Sequence, residues 1–263
     1  MNGNDITAIV FRPKLSDISM ALGLLSRFPV PAAFFPTDTT RPAAYAAWAY
    51  PLVGLLAGGI SLAMLLAALH LGLPAAISAI LAVLANIIFT GAMHEDGLAD
   101  CADGFWGGWT AERRLEIMKD SQIGTYGVLA LLTSVALKAA ALCAIMGQSL
   151  WMEGIICAAI ASRAAMVSVM FALPNVRTSG LSGRTGRPPR TAILLAVGIG
   201  IAAILLAMPS VAVSLILVSA LATCAAACIA RTKIGGQTGD VLGATQQIVE
   251  VAVLLTCVAV LAP

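Results

Sequence analysis

The chain has 263 residues, 60% of them apolar and 11% charged, with a formal net charge of +2 and a mean hydropathy of +0.96. Soluble domains carry about 25% charged residues, so this composition describes an integral membrane protein and excludes a disulfide-stapled scaffold, a disordered chain and a collagen-like repeat. So small a net charge carries no nucleic-acid signature, and no nucleic-acid partner is expected. A helix needs roughly 20 apolar residues to cross about 30 Å of hydrocarbon, so seven spans use roughly 140 residues and leave no room for a separate soluble domain. The expected fold is all-α: one membrane domain over 1–263, a polytopic helix bundle of about seven transmembrane helices with a short interfacial helix near the start.

In chain order, Met1 to Lys14 is polar and lacks the charged, apolar and small-residue sections of a signal peptide, so it is expected to remain in the mature protein. Ser16 to Ser26 is apolar but too short to span, and Arg27, Pro29 and Pro31 end it, which predicts the interfacial helix. Spans are predicted near 46–70, 74–93, 126–147, 151–173, 191–208, 211–230 and 245–262. Arg12, Lys14, Arg27 and Arg41, then Arg113, Arg114 and Lys119, then Arg177, Arg184, Arg187 and Arg190, then Arg231 and Lys233 occupy alternate connections; those at Leu71, Gln148 and Pro209 hold no Lys or Arg. Because basic residues stay on the cytoplasmic side, this predicts a multi-pass protein of the cell (inner) membrane, with the N-terminus and long loops cytoplasmic and Pro263 periplasmic. Tyr45, Trp48, Tyr50, Trp106, Trp109, Tyr126 and Trp151 fall near span ends, where an aromatic belt belongs. The six cysteines show no ligand spacing and read as small apolar packers.

Within His94 to Gly104, four of the chain's thirteen acids, Glu95, Asp96, Asp100 and Asp103, fall in nine residues at the end of a predicted span. If the second span's helix runs on through them, Asp96, Asp100 and Asp103 lie at i, i+4 and i+7 on one face over about 10 Å, with Glu95 a quarter-turn aside. Such carboxylates repel one another unless a cation holds them, and oxygen-only ligands suit Mg²⁺ or Mn²⁺, which also bind phosphate oxygens. These four acids are the candidate metal ligands. A solvated acidic helix end is the plain alternative, but it would normally mix in Lys, and Gly97 and Gly104 leave space for a ligand's close approach.

The next segment, Arg113 to Gly127, reads as a short amphipathic helix leading into a span. Arg113, Arg114 and Lys119 can oppose phosphate charge, although an interfacial helix binding anionic headgroups explains the same residues. Asp120 can complete a metal shell or act as a base, and Gly124 and Gly127 permit a tight turn. Asn175 to Arg190 sets four Arg among glycines, as suits phosphates or plain positive-inside topology. In Gly235 to Asp240 the glycines leave backbone N–H groups free to face an anion, and Asp240 can cap the last helix or reach the metal. Lys138, Arg163 and Glu250 lie inside spans, where an ionisable group is a functional candidate unless such groups pair for structure.

Taken in order, Ser26-Arg27-Phe28-Pro29-Val30-Pro31, Tyr50-Pro51-Leu52-Val53-Gly54, His94 to Gly104, Leu115 to Gly127, and Thr238-Gly239-Asp240-Val241-Leu242-Gly243-Ala244 with Glu250 resemble the cobalamin synthase family, also called adenosylcobinamide-GDP ribazoletransferase. The resemblance runs nearly end to end. It implies a multi-span membrane transferase that joins adenosylcobinamide-GDP to alpha-ribazole or its 5'-phosphate, releases GMP and uses Mg²⁺. Carried onto this chain, it implies Mg²⁺ on Asp96, Asp100 and Asp103 with Asp120 or Asp240 completing the site, and Asp103 as the base. Arg113, Arg114, Lys119, Arg177, Arg184, Gly236 and Thr238 are then the substrate-binding candidates, and Phe28, Phe105 and Trp106 line a corrinoid site at the membrane surface, among lipid. A homo-oligomer is compatible with all of this. Two rivals differ in residue pattern. A CDP-alcohol phosphotransferase fits Asp96-Gly97 but has Ala-Arg where Asp100-Cys101 stands, and a cation transporter spreads its acids along several spans near the bilayer midplane.

Overall fold

A computed structural model describes residues 11–36, 41–177 and 181–261. Expectations for Met1 to Val10, for Gly180 and for Pro263 lie outside these residues. The described chain forms α1 (Leu15–Leu25), α2 (Tyr50–His70), α3 (Ala75–Thr90), α4 (Met93–Gly107), α5 (Ala111–Ile117), α6 (Thr125–Ile145), α7 (Trp151–Ala172), α8 (Leu181–Thr185), α9 (Arg190–Ala207), α10 (Ala212–Ile234) and α11 (Gly239–Leu261), with 3-10 turns at Ala32–Phe34 and Ala43–Ala49. Six of these, α2 with the turn before it, α6, α7, α9, α10 and α11, are each long and apolar enough to cross a membrane.

The short helix near the start is present, and it is tied down by a polar cluster that lay unread in the sequence. Asp17 is buried, pairs with Arg41 at 2.8 Å and accepts the Trp48 indole N–H at 2.8 Å. A buried carboxylate needs such partners, and together they hold α1 to the turn at Ala43–Ala49. Trp48 belongs to this cluster and Tyr50 is buried, whereas Trp106, Trp109 and Tyr126 are exposed.

The centre of the bundle is α7, the most buried of the six spans, while α10 is the least. With lipid outside, helices associate by close van der Waals packing, which small residues permit. Gly54 and Gly58 of α2 face Ala159 and Ile156 of α7, and a Cβ at Gly54 would lie 2.9 Å from the Ile160 Cα. Ala158, Ala161, Ala164 and Ala165 complete this small-residue core.

The second predicted span needs correction, because the helix does not continue into the acidic segment. Gly91 (φ 67°) and Ala92 (φ 59°) are both left-handed. Their N–H groups close back on Ile88 and Ile87 carbonyls at 3.2 and 2.9 Å, which terminates α3. The chain restarts as α4 at 91° to α3, so only as a broken pair do the two pass as a seventh span. Past the last connection, Gly235 (φ 78°) ends α10, and α11 begins at Gly239, earlier than the predicted 245.

Candidate functional site

The break at Gly91 and Ala92 frees α4 to pack on α6 and α11. The approach to α11 is close because both helices offer glycine: a Cβ at Gly97 would lie 2.7 Å from the Asp240 carbonyl oxygen, and one at Gly243 would lie 3.2 Å from the His94 Cα. Gly97 and Gly104 were expected to admit a ligand, but they admit protein instead, since Gly104 receives the Met118 side chain and the Arg114 carbonyl.

This packing brings Asp240 to the acidic face of α4. Asp100 lies within electrostatic reach of Asp240, Asp96, Asp103 and Arg177. Asp96 is exposed, while Asp100 and Asp240 are half-buried. Arg177 donates through Nη1 to Asp240 Oδ2 at 2.8 Å and through Nη2 to the Leu115 carbonyl at 3.4 Å, and its buried Nε has no partner. The loop carrying Arg177 is held there by paired backbone hydrogen bonds, Val176 N to Gln237 O at 3.0 Å and Gln237 N to Pro174 O at 2.8 Å. Three carboxyl groups, Asp96, Asp100 and Asp240, thus meet one guanidinium.

The remaining candidates divide between structural positions and the rim. Asp103 is nearly buried, and its oxygens accept the Gly124 N–H at 2.7 Å and the Gly127 N–H at 2.9 Å. Gly124 and Gly127 therefore serve as a cradle for this carboxylate, and the geometry makes Asp103 an anchor between α4 and α6 rather than the expected base. Glu95 is turned away from the aspartates and buried; its Oε1 accepts from Lys138 Nζ at 3.4 Å and from Gln247 Nε2 at 2.9 Å, so it is removed from the metal set. Gly236 is buried against the Pro174 carbonyl, and Thr238 is fully buried, capping α11 by accepting the Val241 N–H at 3.3 Å, so neither is open to an anion. Arg114 donates to the Gly108 and Lys233 carbonyls at 2.9 and 2.8 Å, joining the end of α4 to the end of α10. Arg113 is exposed and pairs with Glu116, Lys119 is exposed, and exposed Asp120 accepts the Gln122 N–H of its own turn. Arg184 is exposed beside Thr185, which lines a crevice with Met93, Gly239 and Leu242.

Deeper in the bundle the ionisable groups pair. Arg163 Nη1 meets Glu250 Oε2 at 3.5 Å, whereas Lys138 meets Glu95, not Glu250. Gln246 and Gln247, two consecutive amides in an apolar helix, link these pairs: Gln247 donates to Gln246 Oε1 at 2.9 Å and Gln246 donates to Glu250.

Among the described residues, no three His, Cys, Asp or Glu side chains form a ready-made metal cage. The half-exposed face of Asp96, Asp100 and Asp240 nevertheless fits a hard divalent cation, because Mg²⁺ commonly takes only one or two carboxylates and fills its shell with water and substrate phosphates.

The sequence matches the family described as Cobalamin-5-phosphate synthase over residues 17–258. A protein of Azorhizobium caulinodans named Adenosylcobinamide-GDP ribazoletransferase is 44% identical over 253 residues, covering 92% of this chain and 94% of the relative. Proteins of the same name from Bradyrhizobium diazoefficiens and Brucella anthropi are 39% and 41% identical, covering 94% and 91% of this chain and 95% of each relative. No solved structure matches. The match takes in the acidic helix, the Arg177 loop and the start of α11 alike, and by it the chain belongs to the cobalamin-5-phosphate synthase family.

Proposed function

We propose that this protein transfers the phosphocobinamide portion of adenosylcobinamide-GDP to alpha-ribazole or its 5'-phosphate and releases GMP, at the cytoplasmic face of the cell (inner) membrane. The relatives' shared name supports the substrates. The observation that carries the mechanism is the surplus of carboxylate over guanidinium at Asp96, Asp100, Asp240 and Arg177. An acidic face beside a partly exposed arginine suits a cation and a phosphate together.

In this reading the ribazole hydroxyl oxygen bonds to the phosphorus nearest cobinamide, that phosphorus loses its bond to the bridging oxygen, and GMP departs with the electron pair. Mg²⁺ bound at Asp96, Asp100 and Asp240 would supply neutralisation of the diphosphate charge. Arg177, partly exposed and held by Asp240 through Nη1, offers its guanidinium to a phosphate oxygen. The hydroxyl proton passes to a carboxylate of this face. Asp103 fixes α4 against Gly124 and Gly127, so the acids keep their spacing as negative charge moves toward the leaving group. Exposed Arg184, Lys119 and Arg113 draw anionic substrate to the rim, and exposed Phe28 and Trp106 meet the large corrinoid at the membrane surface.

Purified protein in vesicles, given adenosylcobinamide-GDP and alpha-ribazole, should release GMP only when Mg²⁺ and the ribazole are both present. GMP release that ignores the ribazole would make the protein a hydrolase, and alcohol transfer from CDP-activated lipid precursors would favour the rival phosphotransferase.

A further inference from the structure

We propose that Glu95 is a positioning residue that sets the rotation of α4 about its own axis through Lys138 and Gln247, and so decides which acids face Asp240 and Arg177. The inference rests on the reading of the acidic face given above. α4 needs such a device. It is joined to α3 through two left-handed residues at a 91° bend, so α3 does not dictate its orientation as a continuous helix would. Its glycine contacts with α11 allow close approach but resist rotation poorly, and the Asp103 anchor to Gly124 and Gly127 holds α4 only about two turns further along.

Glu95 supplies the directional contact. One residue along an α-helix is about 100° of rotation, so holding Glu95 toward α6 and α11 turns Asp96 toward the open side. Gln247, the amide that grips Glu95, is itself held by Ser134 Oγ of α6 at 2.9 Å and continues through Gln246 to Glu250 and Arg163 of α7. On α11, Gln247 lies seven residues, about two turns, below Asp240, so the two share a face. One face of α11 therefore grips Glu95 at depth and presents Asp240 to Asp100 at its end. Glu95 is too buried to reach a cation on the exposed side of Asp96, so any effect of changing it must pass through α4.

The test compares Glu95→Gln, Lys138→Met and the double variant. Glu95→Gln keeps size but leaves Lys138 without a counter-charge, and Lys138→Met leaves the carboxylate without one. Each single change should lower GMP release by about ten- to a hundredfold and raise the Mg²⁺ requirement, as loss of a supporting contact does at metal sites. The double variant removes both charges and should recover most of the loss. Hydrogen exchange of the α4 amides, measured without Mg²⁺ or substrate, should quicken in both single variants and return toward wild type in the double. Two results would overturn the proposal: a double variant no better than Glu95→Gln with Lys138→Met silent, which marks direct ligation, or α4 exchange at the wild-type rate in all three. A wild-type protein that releases no GMP would sink the reading of the acidic face, while α4 exchange would still decide the role of Glu95.

Discussion

Two charged clusters share α4 and α11 and are built on opposite rules. At the loop-rich end, Asp96, Asp100 and Asp240 face a single guanidinium, and all three retain some exposure. In the interior, Glu95 and Glu250 are matched one for one by Lys138 and Arg163, and all four are buried. Taking an ion out of water costs several kcal/mol even after relaxation, so a deep cluster persists only when its charges balance. Surplus charge survives where water or a ligand can reach it or, as at buried Asp103, where backbone N–H groups hold it. Balance thus separates the charges that hold this fold from the charges that await substrate, although both sets come from neighbouring residues, Glu95 and Asp96 being adjacent.

This contrast can be broken at several points. The largest effect is expected in the balanced cluster: Glu250→Ala strands Arg163, which is 1% exposed, and should destabilise the protein by about 3–5 kcal/mol. Replacing both residues with Met should cost much less, and thermal unfolding in detergent reads the difference. Losses that simply add would show that the pair is not coupled. On the acidic face, Asp100→Asn keeps size and fold but removes a charge, so turnover should fall by about 10²–10³-fold with the unfolding midpoint little changed. A variant that instead unfolds early would move Asp100 to the structural class.

Smaller effects sharpen the boundary between the clusters. Gly97→Ala inserts a methyl 2.7 Å from the Asp240 carbonyl, an overpacking that should cost about 1–3 kcal/mol and displace Asp240 from Asp100, lowering GMP release as well as stability. Unchanged GMP release would show that α4 and α11 can part without disturbing the acids. Ala92→Gly should have the smallest effect and the opposite sign. It relieves a left-handed alanine and should stabilise the protein by about 1 kcal/mol, as a raised unfolding midpoint would show.

Much of the bundle was legible because long apolar runs leave few alternatives; α2, α6, α7 and α9 fall close to their predicted bounds. The bend was not legible, since nothing in an alanine at 92 announces a left-handed backbone and only Gly91 hinted at a stop. The stripe of Asp96, Asp100 and Asp103 was readable from helical period alone. Which members of it remain open was not, because the Gly124 and Gly127 N–H groups that engage Asp103 arrive from another helix. Arg177 and Asp240 were candidates by residue type, and their 2.8 Å contact across 63 residues of sequence is a product of tertiary packing. Glycines that admit a ligand and glycines that admit a helix look alike in sequence, which is why Gly97 and Gly104 were read as the former. Lys138 illustrates the same limit: its need for a partner was evident, but Glu95, held at the α4 break, was not the partner expected. Gln246 and Gln247 left one usable signal, two adjacent amides in an otherwise apolar helix.

The central claim is that Asp96, Asp100 and Asp240 together hold a divalent cation and the diphosphate. Mn²⁺ binding followed by its electron paramagnetic resonance, with and without adenosylcobinamide-GDP, tests this in wild type and in Asp96→Asn, Asp100→Asn, Asp240→Asn and Glu250→Gln. The account predicts Mn²⁺ binding that tightens when the diphosphate is added and weakens in each of the three aspartate variants, with Glu250→Gln close to wild type wherever it folds. Equal Mn²⁺ affinity in wild type and all three aspartate variants, unaffected by the diphosphate, would contradict it.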